Sequence, residues 1–104
     1  MSSNNNTITI GCLHFDMVTN HAFYSGNDLS LSPKEFALLF LLAQAEGKML
    51  SAQHLFERVW KKPFEEGNST LKVHIFNLKK KLAAVADEIL IESYENEGYC
   101  LVKI

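Results

Sequence analysis

The sequence predicts an α+β domain: a small antiparallel sheet, then three helices, then a closing β-hairpin. Three observations carry this. Residues 7–31 alternate apolar and polar with period two, as half-buried strands do. Residues 32–86 switch to helical periodicity, with capping residues where helices should start. Two short apolar runs then flank the turn signal Glu95-Asn96-Glu97-Gly98. A chain of 104 residues suffices for one compact core. The expected division is a flexible tail or linker remnant at 1–6 and one folded unit at 7–104. Within that unit the sheet takes 7–31, the helices 32–86 and the hairpin 87–104.

In the sheet, Ile8 and Ile10 alternate with threonines, and Leu13, Phe15 and Met17 with His14, Asp16 and Val18. Gly11 lies where the two alternations fall out of phase, marking a bulge or turn. Thr19-Asn20 and Gly26-Asn27-Asp28 are turn signals, the second flanked by strands at 22–24 and 29–31. Three or four strands are expected. The first helix starts with a capping box, Ser32-Pro33-Lys34-Glu35, and is apolar almost all round, as a central helix would be. Gly47 suits its C-cap. Ser51 caps the second helix, whose stripe is Leu55, Phe56, Val59 and Trp60, and a loop over 61–68 ends it. The third helix has the most regular stripe: Leu71, Ile75, Leu78, Leu82 and Val85, with Asn68 or Ser69 as cap. Strands at Ile89–Ile91 and Tyr99–Ile104 form the hairpin.

Several chemistries find no support. Cys12 and Cys100 form no CxxC pair and read as reduced, partly buried thiols. The four histidines lack metal-ligand spacing, and phosphate loops and nucleophile elbows are missing, so no enzyme, metal or cofactor is expected. The longest apolar run is far shorter than the ~20 residues of a membrane span. No basic-then-apolar leader opens the chain, and a cytoplasmic location is expected.

The net charge of −2 argues mildly against a nucleic-acid partner, but the charge is sorted. Between Ser69 and Ala86 lie Lys72, Lys79, Lys80 and Lys81 and no acid, so this helix carries +4 and the remainder −6. With the apolar stripe inward, the opposite face presents Ser69, Val73, Phe76, Asn77 and Lys80, at ~100° per residue. Thr70, His74 and Lys81 flank it on one side, Lys72 and Lys79 on the other. Val73 and Phe76 are odd on a solvated surface and make sense on a face that is normally covered. In a major groove, Val73 and Phe76 suit thymine methyls and Asn77 an adenine edge. Ser69, Thr70, Lys72, His74, Lys79 and Lys80 would hold phosphates. A lysine-rich amphipathic helix is also commonly no more than a solvated one.

At this point the chain resembles the OmpR/PhoB winged-helix family, the output domains of two-component response regulators. The segments that carry the resemblance are 29–39 (LSLSPKEFALL), 47–51 (GKMLS), 55–60, 70–82 (TLKVHIFNLKKKL) and Gly98-Tyr99, within a match from about Ile8 to Leu101. The resemblance implies a four-stranded sheet, a three-helix core and a hairpin wing. It implies sequence-specific binding of double-stranded DNA, the third helix in the major groove and the wing, with Tyr94 and Asn96, at the minor groove. It further implies RNA polymerase as a partner of the 61–68 loop, a receiver domain as regulator, and head-to-tail dimers on DNA. The chain departs from the family pattern in having Ser69, Asn77 and Lys79 where arginine is usual and Lys72 where aspartate is usual. Its wing, Ser93-Tyr-Glu-Asn-Glu-Gly-Tyr-Cys100, has Glu95 and Cys100 at arginine positions. Glutamate is repelled by the narrow groove that attracts arginine. The competing reading is therefore a winged-helix protein-interaction module with weak or lost DNA binding, using Val73, Phe76 and the acidic hairpin.

Overall fold

A computed structural model describes residues 6–65, 67, 69–95 and 97–103. Four strands open the fold: β1 (Thr7–Ile10), β2 (Leu13–Asp16), β3 (His21–Tyr24) and β4 (Asn27–Asp28). They form an antiparallel sheet in chain order, with Ile8 opposite Phe15 and Phe15 opposite Ala22. Helices α1 (Pro33–Gln44), α2 (Ala52–Trp60) and α3 (Thr70–Val85) follow, then a hairpin of β5 (Ile89–Tyr94) and β6 (Gly98–Lys103) with Ile91 opposite Leu101.

The sheet keeps its alternation: Leu13, Phe15, Ala22 and Tyr24 are buried, while His14 and His21 face solvent. Phe15 meets the rings of Phe36 and Phe40 edge-on, at centroid distances of 5.7 and 5.2 Å, which seats the sheet on α1. Met17 lies outside β2, contrary to the alternation, because the Asp16 carboxylate accepts from the Val18 and Thr19 amides and turns the chain. No strand forms at 29–31: the fourth strand is Asn27–Asp28, inside the expected turn, which tightens to Ser25-Gly26 with positive φ at both residues (49° and 86°). Asp28 accepts from the Ser30 amide at 2.8 Å, and Ser30 adopts a φ of 56°.

The capping box at α1 is present: the Glu35 amide donates to Ser32 Oγ and the Ser32 amide to Glu35 Oε1. The helix ends earlier than Gly47 suggested, at Gln44 with Ala45 as cap, and Glu46 and Gly47 turn the chain in left-handed conformations. Ser51 caps α2 by accepting from the His54 amide at 3.0 Å. Ser69 sits at the cap position of α3 but makes no capping side-chain bond, and Asn68 lies outside the described residues. Leu71, Ile75, Leu78 and Leu82 of α3 are all buried, each contributing roughly 1.5–3 kcal/mol relative to exposure. The hairpin packs on α3 through β5 and on α1 through β6. A β-bridge between Leu50 and Tyr99, with paired backbone bonds of 2.8 and 2.9 Å, straps it to the start of α2.

The thiols do not match the expectation of two partly buried groups. Cys12 is exposed because it occupies the β1–β2 turn, whereas Cys100 is buried in β6. Among the described residues, no helix is long and apolar enough to cross a membrane, and no three metal-ligating side chains cluster.

Candidate nucleic-acid interface

Burying one stripe of α3 fixes what the opposite side presents. Ser69, Val73, Phe76, Asn77 and Lys80 are exposed together on that outer face. Phe76 is 60% exposed and Val73 52%, unusual for apolar side chains on a helix whose inner face is fully packed. The Lys80 ammonium lies 5.4 Å from the centre of the Phe76 ring, within cation–π range. Lys72 is exposed on the hairpin side of the helix and borders the cleft between α3 and the hairpin.

That cleft has a volume of about 850 Å³. Lys72, Phe76 and Lys79 line it from α3, and Tyr94, Glu95 and Glu97 from the hairpin. Lys79 spans the two elements, its Nζ donating to Ser93 Oγ at 2.6 Å. Tyr94 is exposed, and its hydroxyl donates to Glu92 Oε1. That hydrogen bond and the carboxylate's charge push the phenol pKa above its ordinary value, so Tyr94 stays neutral. Asn96, the other expected wing contact, lies outside the described residues.

The remaining flank is partly committed to holding the fold. His74 is half-buried, its ring edge-on to Trp60 at 4.9 Å between centroids. Its Nδ1 lies 2.8 Å from the Thr70 carbonyl oxygen. A carbonyl only accepts, so Nδ1 is the donor in this contact. Thr70 is half-buried beside it. The 61–68 loop begins with Lys61 in a left-handed conformation (φ 60°). It is held where the Phe64 amide donates to Glu57 Oε2 at 3.1 Å and the Phe64 ring packs on Phe56. Glu66 and Asn68 are outside the described residues.

Lys81 departs from the flanking role its position suggested. Its Nζ reaches Glu35 Oε1 at 2.7 Å and the Ser30 carbonyl at 3.0 Å, locking α3 to the capping box of α1. Burial alone would raise the Glu35 pKa, but the bonds from Lys81 and the Ser32 amide outweigh it and hold the carboxyl below its ordinary value. Sequence reasoning missed both this pair and the Lys79–Ser93 bridge, since neither partner is local to its lysine. A glutamate that is only 4% exposed needs a cation, and α3 is the one helix dense in cations.

Comparison with known proteins agrees with this geometry. The chain is 33% identical over 100 residues to the transcriptional regulatory protein PrrA of Mycobacterium tuberculosis, a stretch covering 96% of this chain and 43% of PrrA. The chain thus spans less than half the length of that relative. The DNA-binding domain of CpxR from E. coli shares the fold with a TM-score of 0.81 at 31% identity, covering 93% of this chain and 96% of the other. The RstA DNA-binding domain of Klebsiella pneumoniae, solved in complex with the RstA box, gives a TM-score of 0.77 at 26% identity, covering 94% and 98%. The fold is accordingly a winged helix, with β5 and β6 as the wing. Residues 26–101 match the family model for the C-terminal part of transcriptional regulatory proteins, and the chain belongs to that family.

Proposed function

We propose that this chain is the DNA-binding output domain of a transcriptional regulator, acting in the cytoplasm and performing no catalysis itself. Helix α3 lies in the major groove of double-stranded DNA, with Val73, Phe76 and Asn77 toward base edges. Ser69, Thr70, Lys72, His74, Lys79 and Lys80 take phosphates. The observation that carries this reading is the outer face of α3, where exposed Val73 and Phe76 sit beside Asn77 and are bordered by lysines on an element without an acid. The RstA DNA-binding domain, solved in complex with the RstA box, supports DNA as the partner. By the same family likeness, a receiver domain would govern the chain and two copies would sit head-to-tail on DNA. The 61–68 loop would meet RNA polymerase, and Tyr94 and Asn96 would approach the minor groove.

The test is a salt titration on duplexes selected from a random pool. Four lysines on phosphate would give a log–log slope of roughly −4, but with Lys81 held by Glu35 three remain, and the expected slope is about −3. Lys80→Ala should weaken binding to every sequence and flatten that slope by about one. Asn77→Ala should relax preference at one base pair by roughly 1–3 kcal/mol. Equal losses on all duplexes for both variants would remove Asn77 from the reading role.

The second reading, a protein-interaction module, draws on the acidic wing, where Glu95 and Glu97 face the cleft. Capture of polymerase or a receiver domain, with no salt-dependent DNA binding, would favour it.

A further inference from the structure

We propose that the Val73–Phe76 edge of α3 is a receptor for the C5-methyl groups of two neighbouring pyrimidines. The sequence this helix reads is then A·T-rich at its centre, and 5-methylcytosine passes for thymine there. The inference rests on the DNA-reading role proposed above and names what that role recognises.

Two exposed apolar side chains gain free energy from a ligand only if the ligand offers apolar surface to cover them. On the base edges of the major groove, the C5-methyl group of thymine is that surface; guanine, adenine and cytosine present donors and acceptors. A side chain that is 60% exposed, as Phe76 is, has most of its surface still to bury. Val18 is more exposed still, but it sits at the β2–β3 turn, not on α3.

The spacing fits successive base pairs. Three residues of helix advance about 4.5 Å along its axis. One base step advances about 3.4 Å. Val73 and Phe76 therefore meet methyl groups on adjacent pairs rather than on one. Asn77 follows Phe76 directly and offers the carboxamide that pairs with adenine N6 and N7.

Guanine readers are displaced from this edge. Arg58, the chain's one arginine, lies on α2. Lys79 is drawn toward the wing by Ser93, and Lys81 toward α1 by Glu35. Lys80 rests over the Phe76 ring, covering one face while the rest of the ring stays open. Lys72 borders the cleft and takes phosphate in the reading above, so the side chains left for base edges discriminate by methyl contact and by adenine pairing.

The experiment uses the full chain and a duplex selected from a random pool. Each thymine is replaced singly by deoxyuridine, which removes only the methyl group. In a second series, each T·A pair is replaced by C·G and by 5-methyl-C·G. Deoxyuridine should weaken binding about fourfold at two adjacent positions, the effect of one buried methyl group. At the same positions, 5-methylcytosine should restore part of the affinity that cytosine loses. Val73→Ala and Phe76→Ala should each erase the deoxyuridine effect at one position. Both side chains lie outside the core, so each variant should melt like the parent. Specific binding with equal affinity for thymine and deoxyuridine everywhere overturns the methyl receptor and leaves DNA reading in place. Failure to select any duplex above non-specific binding overturns both.

Discussion

Helix α3 and the β5–β6 hairpin border the same cleft with opposite charge. The helix carries four lysines and no acid; the hairpin carries Glu92, Glu95 and Glu97 against Lys103. Their packing differs as well. The helix buries one stripe and leaves its opposite face uncovered, whereas the hairpin buries Ile91, Tyr99 and Cys100 and is strapped to Leu50. Burial pushes the Cys100 thiol pKa up, with the nearby Glu92 charge adding to it, so this group stays protonated and unreactive. Attraction for polyanion is thus concentrated on the helix, while the hairpin closes the core and sets a negative wall beside the cleft.

The largest effect that would sharpen this contrast is structural. Gly98 has a φ of 142°, and a Cβ placed there would lie 2.1 Å from the Leu50 carbonyl oxygen. Gly98→Ala must break the strap, and a destabilisation of about 3–5 kcal/mol is expected in denaturant titration. An unchanged midpoint would show that the hairpin is not needed to close the core.

Next is the anchor of α3. Glu35→Gln removes the charge opposite Lys81, and a loss of about 2 kcal/mol is expected near neutral pH, moderated because Lys81 is partly solvated. The folded Glu35 pKa lies below its ordinary 4.5, so the folded state holds fewer protons than the unfolded one in that window. The stabilisation is complete above about pH 4.5 and fades as pH falls through the lowered folded value. Melting curves of parent and variant should therefore converge in acid. A gap that persists there would point to altered packing rather than charge.

Reversing the hairpin's sign tests the contrast on DNA. Glu95→Lys with Glu97→Lys should raise affinity for all duplexes about tenfold at low salt and steepen the salt slope by as much as two. No change would mean that the hairpin stands too far from phosphate for its charge to count. The smallest expected effect is at the bridge: Ser93→Ala frees Lys79, with a stability change of about 0.5 kcal/mol or less. If it shifts DNA affinity instead, the bridge and phosphate compete for the same ammonium.

Much of this is legible in the amino-acid sequence. Ser32-Pro33-Lys34-Glu35 announces the start of α1, and Ser51 that of α2, because a cap acts within one turn. The stripe from Leu71 to Leu82 fixes which side of α3 turns inward, and so exposes Val73, Phe76, Asn77 and Lys80 together. The pattern misleads where a local contact overrides it: the Asp16 carboxylate ends β2 before Met17, and the tight turn at Ser25-Gly26 puts β4 at Asn27–Asp28 where a strand at 29–31 is expected. Distance hides other contacts: Lys81 finds Glu35 46 residues away, and Lys79 finds Ser93 14 residues away.

Periodicity and capping are local, acting over a few residues, so the chain alone sufficed to set its elements, their order and the charged, apolar-centred face of α3. The availability of each lysine was a different matter. That depended on which carboxylate or hydroxyl the packed core carried to within 3 Å of it. Coulomb attraction and hydrogen bonding need proximity in space, and only the assembled helices and hairpin supply it.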